Sequence, residues 1–161
     1  MSIARRARER RRQILTDLLS PSPGAVAAAA GLGAAAGLRS ATPLAVLQVQ
    51  GRLLSWPRGW FIVAGAAGEL IVDKLPVAGK RTSPMGLLGR IASAAWAGAT
   101  VAGPIGAGVA GAAAVASAFT GMHTRALLVR RTGLPDGVFA TAEDLVAVSL
   151  AVASTSLTGP Q

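Results

Sequence analysis

The chain has 161 residues, of which 52% are hydrophobic and 14% are charged, and its net charge is +9. Soluble domains carry roughly 25% charged residues, so this shortage of charge, together with a mean hydropathy of +0.51, predicts an integral membrane protein rather than a soluble domain. Cysteine is absent, which excludes disulfides, thiolate metal sites and thiol catalysis.

Residues 1–23 are predicted to be a basic cytoplasmic segment that precedes the membrane domain. Its arginines are Arg5, Arg6, Arg8, Arg10, Arg11 and Arg12. Basic residues beside an apolar span mark the cytoplasmic side of a membrane, and no aromatic residue interleaves these arginines as a nucleic-acid stacking platform would require. We therefore expect a multi-pass protein of the cell membrane with a cytoplasmic amino terminus and no nucleic-acid partner. A signal peptide is the alternative, but the apolar run continues as far as Pro43, which favours a membrane-spanning helix.

Residues 24–157 are predicted to form one all-α, polytopic transmembrane bundle of about five short helices rich in alanine and glycine. The expected spans are 24–48, 60–75, 85–102, 105–129 and 138–157. Their lengths are close to the roughly 20 residues that cross a bilayer. Pro43 is expected to break or kink the first span, because proline removes a backbone donor. Five crossings place the amino terminus inside the cell and the carboxyl terminus outside.

Charged side chains inside these spans are the candidates for a functional site. Arg39 lies deep in an apolar run, and charges at membrane depth usually pair with one another or mark a functional site. Glu69 and Asp73 are four residues apart, so both carboxylates lie on one helix face. Arg39 is expected to pair with Glu143 or Glu69, and Arg125 with the other acid. The predicted substrate- or ion-binding residues are Arg39, Thr42, Glu69, Asp73, His123, Arg125, Glu143 and Asp144.

An internal repeat relates residues 24–76 to residues 105–157. The aligned segments are 37–51 with 119–133 and 67–72 with 141–146. Three spans separate the starts of the two copies, so the copies are expected to have opposite orientations across the bilayer, with broken helices meeting near its midplane. Chance similarity in sequence rich in alanine and leucine is the alternative.

Several motifs occur in an order that is similar to a known family of bacterial membrane proteins. They are GLRSATPL near the start, ELIVDKLP in the second span, GMHTRALLVRRTG in the fourth and TAEDLVAVSLAV in the fifth. Together they resemble the family catalogued as domain of unknown function 4126 over residues 24–157, without the arginine-rich leader. The resemblance implies an integral membrane protein without an established activity. The matching positions are Arg39, Pro43, Glu69, Asp73, Lys74, Pro76, His123, Arg125, Glu143 and Asp144.

Motifs for catalysis, cofactors and metals are weak in this chain. Residues 106–111 match the dinucleotide fingerprint G-x-G-x-x-G, but they lie in a long alanine-rich run without the preceding strand that the fingerprint needs, so close helix packing is favoured. His123 is the only histidine, which excludes a site of several histidines within one chain and leaves a proton relay or polar packing open. For Glu143 and Asp144, a solvated helix start is the alternative to a site. No serine has a nucleophile-elbow pattern, and we predict no enzyme activity, no cofactor and no metal site.

The predicted function follows from a polar centre inside an apolar bundle. We expect a small transporter, channel or lipid-linked carrier with a central buried Arg/Glu cluster, in which the arginines bind an anion and the glutamates carry protons or pair with cations. The expected partners are the lipid bilayer, a small ion, solute or lipid headgroup, and further copies of the chain, because five short helices enclose little volume. The alternative is a non-transporting membrane scaffold or assembly partner, in which the same charges are internal staples.

Overall fold

All regular secondary structure in the described part of the chain is α-helical. The structure, a computed structural model, describes residues 16, 20–55, 57–72 and 84–158, without the side chains of residues 70–72. No strand occurs among these residues, which confirms the predicted all-α class. The helices are α1 (Pro23–Leu38), α2 (Thr42–Val49), α3 (Trp60–Val72), α4 (Pro84–Thr132) and α5 (Asp136–Ser156). These bounds follow the predicted segments, except that the first segment is divided into two helices and two segments fall within α4. The arginines at residues 5–12 lie outside the described residues.

Local sequence explains where α1 and α2 begin. The Ser22 hydroxyl accepts a 3.2 Å hydrogen bond from the Ala25 N–H, and Pro23 suits the first helical position because its missing N–H would have no helical partner there. Pro43 occupies the first turn of α2 in the same way. The proline that was expected to interrupt one long helix therefore starts a second helix. The two are separated by the α1–α2 break, which comprises Arg39, Ser40 and Ala41.

The chain reverses direction at the α1–α2 break. The start of α1 packs beside Leu157, past the carboxyl end of α5, whereas Arg39 at its far end reaches Asp144 in the first half of α5. After the break the chain returns, since Gln50 donates a 2.8 Å hydrogen bond to the Thr155 hydroxyl. The predicted interruption near Pro43 is present, but the segment does not continue in one direction: α1 and α2 run in opposite directions along α5. As a result α1 begins, and α5 ends, at the same end of the bundle, whereas five crossings would have placed them at opposite ends.

Helix α4 is a hairpin of two helices rather than one continuous rod. The backbone leaves the helical region at Ala102 and Gly103, and Pro104 then lacks the N–H that would continue the helix. Across this turn Gly98 packs backbone to backbone against Gly106, although a continuous helix would hold these residues about 12 Å apart. The two arms of α4 are residues 84–101 and 104–132.

Small residues allow α1 to occupy the centre of the bundle. Gly33 packs directly against the backbone of Ala110, and Gly37 packs against Ser117, so α1 approaches the second arm of α4 more closely than larger side chains would permit. The buried residues of the main core are Ala28, Ala29, Leu32, Ala35, Leu44, Leu47, Ala97, Val101, Ala102 and Ala151. Because most of them are alanine, stability depends on close backbone packing rather than on bulky side chains.

Two of the described helices, α4 and α5, qualify as membrane-spanning by their length and apolar composition. The length and composition of these two helices thus support the predicted membrane character of the chain. The predicted number of spans and the orientation of the termini stay predictions.

The two copies of the predicted internal repeat share one backbone feature and differ in another. Gly51 and Gly133, which the alignment pairs, both have a positive φ (73° and 69°) directly after a helix, as glycine commonly does at a helix carboxyl end. The α1–α2 break has no counterpart, because the aligned residues 121–123 lie inside the second arm of α4. Within the described residues, a broken helix therefore occurs in the first copy and not at the aligned position of the second.

Candidate functional site

A buried charge cluster surrounds the α1–α2 break. We define this charge cluster as Arg39, Glu69, Arg90 and Asp144, which lie at the break, in α3, in the first arm of α4 and in α5. Arg39 is 1% exposed, and its Nε donates to a carboxylate oxygen of Asp144, whose side chain is 15% exposed. A buried charge without a partner costs several kcal/mol, so this ion pair holds α5 against the break.

Glu69 binds the backbone on the α2 side of the break. Its carboxylate accepts hydrogen bonds from the Ser40 N–H (2.9 Å), the Ser40 hydroxyl (2.5 Å) and the Ala41 N–H (2.8 Å). These N–H groups lie at the start of α2, where N–H groups have no helical partner and the helix dipole is positive. The carboxylate of α3 therefore caps and neutralises the start of the short helix.

Arg90 and Ser93 bind the carbonyl side of the break. Arg90 is 5% exposed, and its guanidinium donates to the carbonyl oxygens of Gly37 (2.5 Å) and Ala36 (3.4 Å), at the negative end of α1. The Ser93 hydroxyl donates to the carbonyl oxygen of Ser40. Neither Arg90 nor Ser93 is among the predicted site residues. Arg90 offered a signal, a charge inside an apolar span, whereas Ser93 offered none.

The charge cluster therefore satisfies both helix ends that meet at the break. The last carbonyl groups of α1 receive donors, and the N–H groups at the start of α2 reach a carboxylate. Since the charged groups bind one another and the backbone, they act as an internal staple that fixes the reversal between α1 and α2. Among the described residues, no three side chains of the metal-binding types lie together.

A second set of charges is centred on Arg125 in the second arm of α4. Its guanidinium binds the carboxylate of Asp136 through two nitrogens and also donates to Glu143 at 3.4 Å. The Asp136 side chain is 62% exposed, so this set lies near the surface of the bundle. The predicted pair of Arg125 with Glu143 is present, but it is separate from the charge cluster at the break.

The carboxylate that binds Arg39 belongs to the residue directly after the predicted partner Glu143. Arg39 binds Asp144 and not Glu143, which faces Arg125 instead. Successive residues of an α-helix point about 100° apart, so only one of two adjacent acids can face the break. Glu69, the other expected partner, binds the backbone of the break rather than the arginine.

A groove lies between the second arm of α4 and α5, beside Arg125. This α4–α5 groove encloses about 310 Å³ and is lined by Leu38, Ser117, Thr120, Gly121, Thr124, Arg125, Leu128, Phe139, Ala142, Glu143 and Val146. The lining positions on α4 recur every three or four residues, so they form one face of that helix. The groove is therefore mainly apolar, with the ion pair of Arg125 and Glu143 on its wall.

Thr42 and His123, two further predicted site residues, are not members of the charge cluster. Thr42 is buried and lines a second cavity of about 350 Å³ between α2, α3 and α5. His123 is exposed, and its Nδ1 lies 2.7 Å from the carbonyl oxygen of Phe119 in its own helix, so the imidazole does not reach the break. Asp73 lies outside the described residues.

Comparisons of the chain with protein-family models, with curated proteins and with solved structures found no match. The similarity to the family of domain of unknown function 4126 therefore stays an expectation that rests on the motifs alone. The function of this chain has to be inferred from the geometry of its own residues.

Proposed function

We propose that this chain is an integral membrane protein that acts as a non-transporting scaffold or assembly partner. The observation that carries the proposal is the internally bonded charge cluster: Arg39 and Arg90 are almost fully buried, and, among the described residues, neither Arg39 nor Glu69 lines the α4–α5 groove or the cavity between α2, α3 and α5. A transport site needs polar groups that reach a water-filled path. Charged groups that bind one another and the backbone instead stabilise one fixed arrangement of helices.

Membrane insertion is supported by helix length and by the outer surface. At 1.5 Å per residue the two arms of α4 extend about 27 Å and about 43 Å, and α5 extends about 31 Å, which suits a hydrocarbon core of roughly 30 Å. The bundle also exposes many large apolar side chains, which suit contact with lipid rather than water. Among them are Phe61, Met85, Leu88, Val138 and Leu145.

In the proposed topology, α1 and α2 form a re-entrant hairpin, while α3, both arms of α4 and α5 cross the membrane. Non-helical backbone is tolerated at membrane depth only where protein surrounds it, and the charge cluster provides these surroundings for the α1–α2 break. Asp144 lies about 12 Å along α5 from Asp136 and about 18 Å from Ser156, which corresponds to the hydrocarbon interior. Four crossings put residues 24 and 157 on the same side. That side is the cytoplasm if the arginine-rich leader stays inside.

Single cysteines test this topology cleanly, because the native chain has none. In sealed vesicles, Ser20→Cys and Leu157→Cys are expected to react with a membrane-impermeant maleimide from the same side, and Leu134→Cys from the opposite side. All three positions are exposed, so their reactivity reports the side on which they lie. Labelling of Ser20→Cys and Leu157→Cys from opposite sides would support five crossings and contradict the re-entrant hairpin.

The partner of the scaffold is proposed to be another membrane helix, including that of a second copy of the chain. Helix α3 supports this idea, because a Cβ added at Gly65 or Gly68 would meet no atom of the described residues within 4 Å. Small residues on an open helix face allow a partner helix to approach closely in a membrane.

Transport is the second candidate function, and the α4–α5 groove favours it because Arg125 and Glu143 line its wall. Under the scaffold proposal, protein reconstituted into vesicles with an internal pH-sensitive dye is expected to show the same proton flux as empty vesicles. Glu69→Gln and Glu143→Gln are expected to leave this flux unchanged. The scaffold proposal would be contradicted, and proton transport supported, by a flux above that of empty vesicles that either substitution abolishes. The substituted protein must keep native helical ellipticity for this comparison.

A further inference from the structure

We infer that the α4–α5 groove binds one anionic phospholipid, with an acyl chain lying along the groove and the phosphate at Arg131. The inference rests on membrane insertion, as proposed above, and is independent of whether the protein is a scaffold or a transporter. The direction, the length and the charge of the groove favour this lipid as its occupant.

The groove runs along the membrane normal in the proposed topology, because two helices that cross the membrane form its walls. On α4 it extends from Ser117 toward Leu128, and the same helix face reaches Arg131. The fourteen helical steps from Ser117 to Arg131 span about 21 Å, whereas one leaflet of hydrocarbon is roughly 15 Å deep. An acyl chain anchored at the membrane surface can therefore lie along the groove over the depth of one leaflet.

Arg131 lies at the mouth of the groove by helical periodicity. It follows the lining residues Thr124 and Leu128 by seven and three positions, which places it on the same helix face. Arg130, its neighbour, points about 100° away from it and lies on the opposite face. Both arginines are exposed in the last turn of α4, where an interfacial cation attracts anionic headgroups.

The acids near the mouth are already engaged, which leaves Arg131 as the cation for a phosphate. Asp136 and Glu143 both bind Arg125. The ion pairs of the described residues do not include Arg131. The mouth therefore combines an exposed cation with an apolar groove, which are the two features that a lipid with an anionic headgroup requires.

Lipid binding to the purified full-length protein, followed by native mass spectrometry, tests the inference. Phosphatidylglycerol is the probe, and phosphatidylcholine is the zwitterionic comparison. One phosphatidylglycerol per chain is expected to bind at least about fivefold more tightly than phosphatidylcholine. Arg131→Gln is expected to remove about fivefold of this preference, whereas Arg130→Gln, which removes the same charge from the opposite face, is expected to change it less than twofold.

A second pair of variants tests the groove itself. Ala142 is exposed and lines the groove, so Ala142→Leu is expected to weaken binding of both lipids, while Ala126→Leu on the opposite face of α4 is expected to have no effect. Equal losses from Arg131→Gln and Arg130→Gln, or unchanged binding to Ala142→Leu, would overturn the inference. The cysteine-labelling experiment distinguishes failure of this inference from failure of membrane insertion. Labelling that follows the proposed topology, without selective binding of phosphatidylglycerol, would contradict this inference alone. Labelling of all three cysteine positions from one side would contradict membrane insertion itself.

Discussion

Replacing Arg39 with methionine is expected to destabilise the bundle by about 3–5 kcal/mol, the usual effect of breaking a buried ion pair from one side. The substitution leaves the carboxylate of Asp144 in a largely buried position without the guanidinium that binds it. The free energy of unfolding is measured by titrating the detergent-solubilised protein with SDS and following helical ellipticity. Loss of the staple is also expected to lower the yield of folded protein.

A double-mutant cycle shows whether this effect comes from the pair. Asp144→Asn should relieve part of the damage in the Arg39→Met background, because it removes the uncompensated charge. Arg58→Met is the matched control: Arg58 is exposed, and its replacement is expected to change stability by less than about 0.5 kcal/mol. If the effects of Arg39→Met and Asp144→Asn simply add, the two residues are not coupled and the staple interpretation fails.

Gly106→Ala is expected to destabilise the protein by about 1–3 kcal/mol or more through overpacking. A Cβ at this position would overlap the backbone carbonyl oxygen of Gly98 across the α4 hairpin. The obstacle is backbone, which no rotamer change can move aside, so the two arms have to separate. Thermal unfolding monitored by helical ellipticity measures the effect.

Gly108→Ala is the control that isolates this contact. Gly108 is two residues away in the same helix, and a Cβ there would meet no atom of the described part of the chain within 4 Å. Alanine is favoured over glycine in a helix by up to about 1 kcal/mol, so Gly108→Ala is expected to stabilise the protein. Opposite signs for the two substitutions would establish the close approach of the arms, and the same sign for both would refute it.

Most helix boundaries could be predicted because the chain marks them locally. Ser22 and Pro23 begin α1, Gly103 and Pro104 mark the α4 turn, and Gly133 follows the end of α4. Serine, proline and glycine act through their own backbone and capping chemistry at these positions. Boundaries of this kind depend on a few neighbouring residues and therefore can be read from the sequence.

The reversal at the α1–α2 break could not be predicted in the same way. Pro43 indicates that a helix is interrupted, but a bend and a reversal differ in what packs around the interruption. The deciding groups are Glu69 and Asp144, which lie 29 and 105 residues from the residues they bind. No local pattern contains that information.

The candidate site was predictable to the extent that its members are charges in apolar sequence. Arg39 and Glu69 stand out for this reason and do meet at the break. The choice of Asp144 over Glu143 depends on helix rotation, and segments made largely of alanine, glycine, valine and leucine have too little hydrophobic contrast to fix it. The same lack of contrast hides the rotation of the second arm of α4, which places His123, a predicted site residue, on an exposed face.

The ion pair between Arg39 and Asp144 also constrains how the chain is made. Its two residues are 105 positions apart, so the ribosome completes α1, α2, α3 and α4 before it synthesises the acid that binds Arg39. Glu69, Arg90 and Ser93 can bind the backbone of the break before then, but the guanidinium of Arg39 still lacks the carboxylate of Asp144, and a buried charge is costly without such a pair. The ion pair that holds α5 against the break is therefore the last contact of the charge cluster that synthesis makes possible. A chain that stops before α5 contains Arg39, Glu69 and Arg90 but cannot complete the charge cluster.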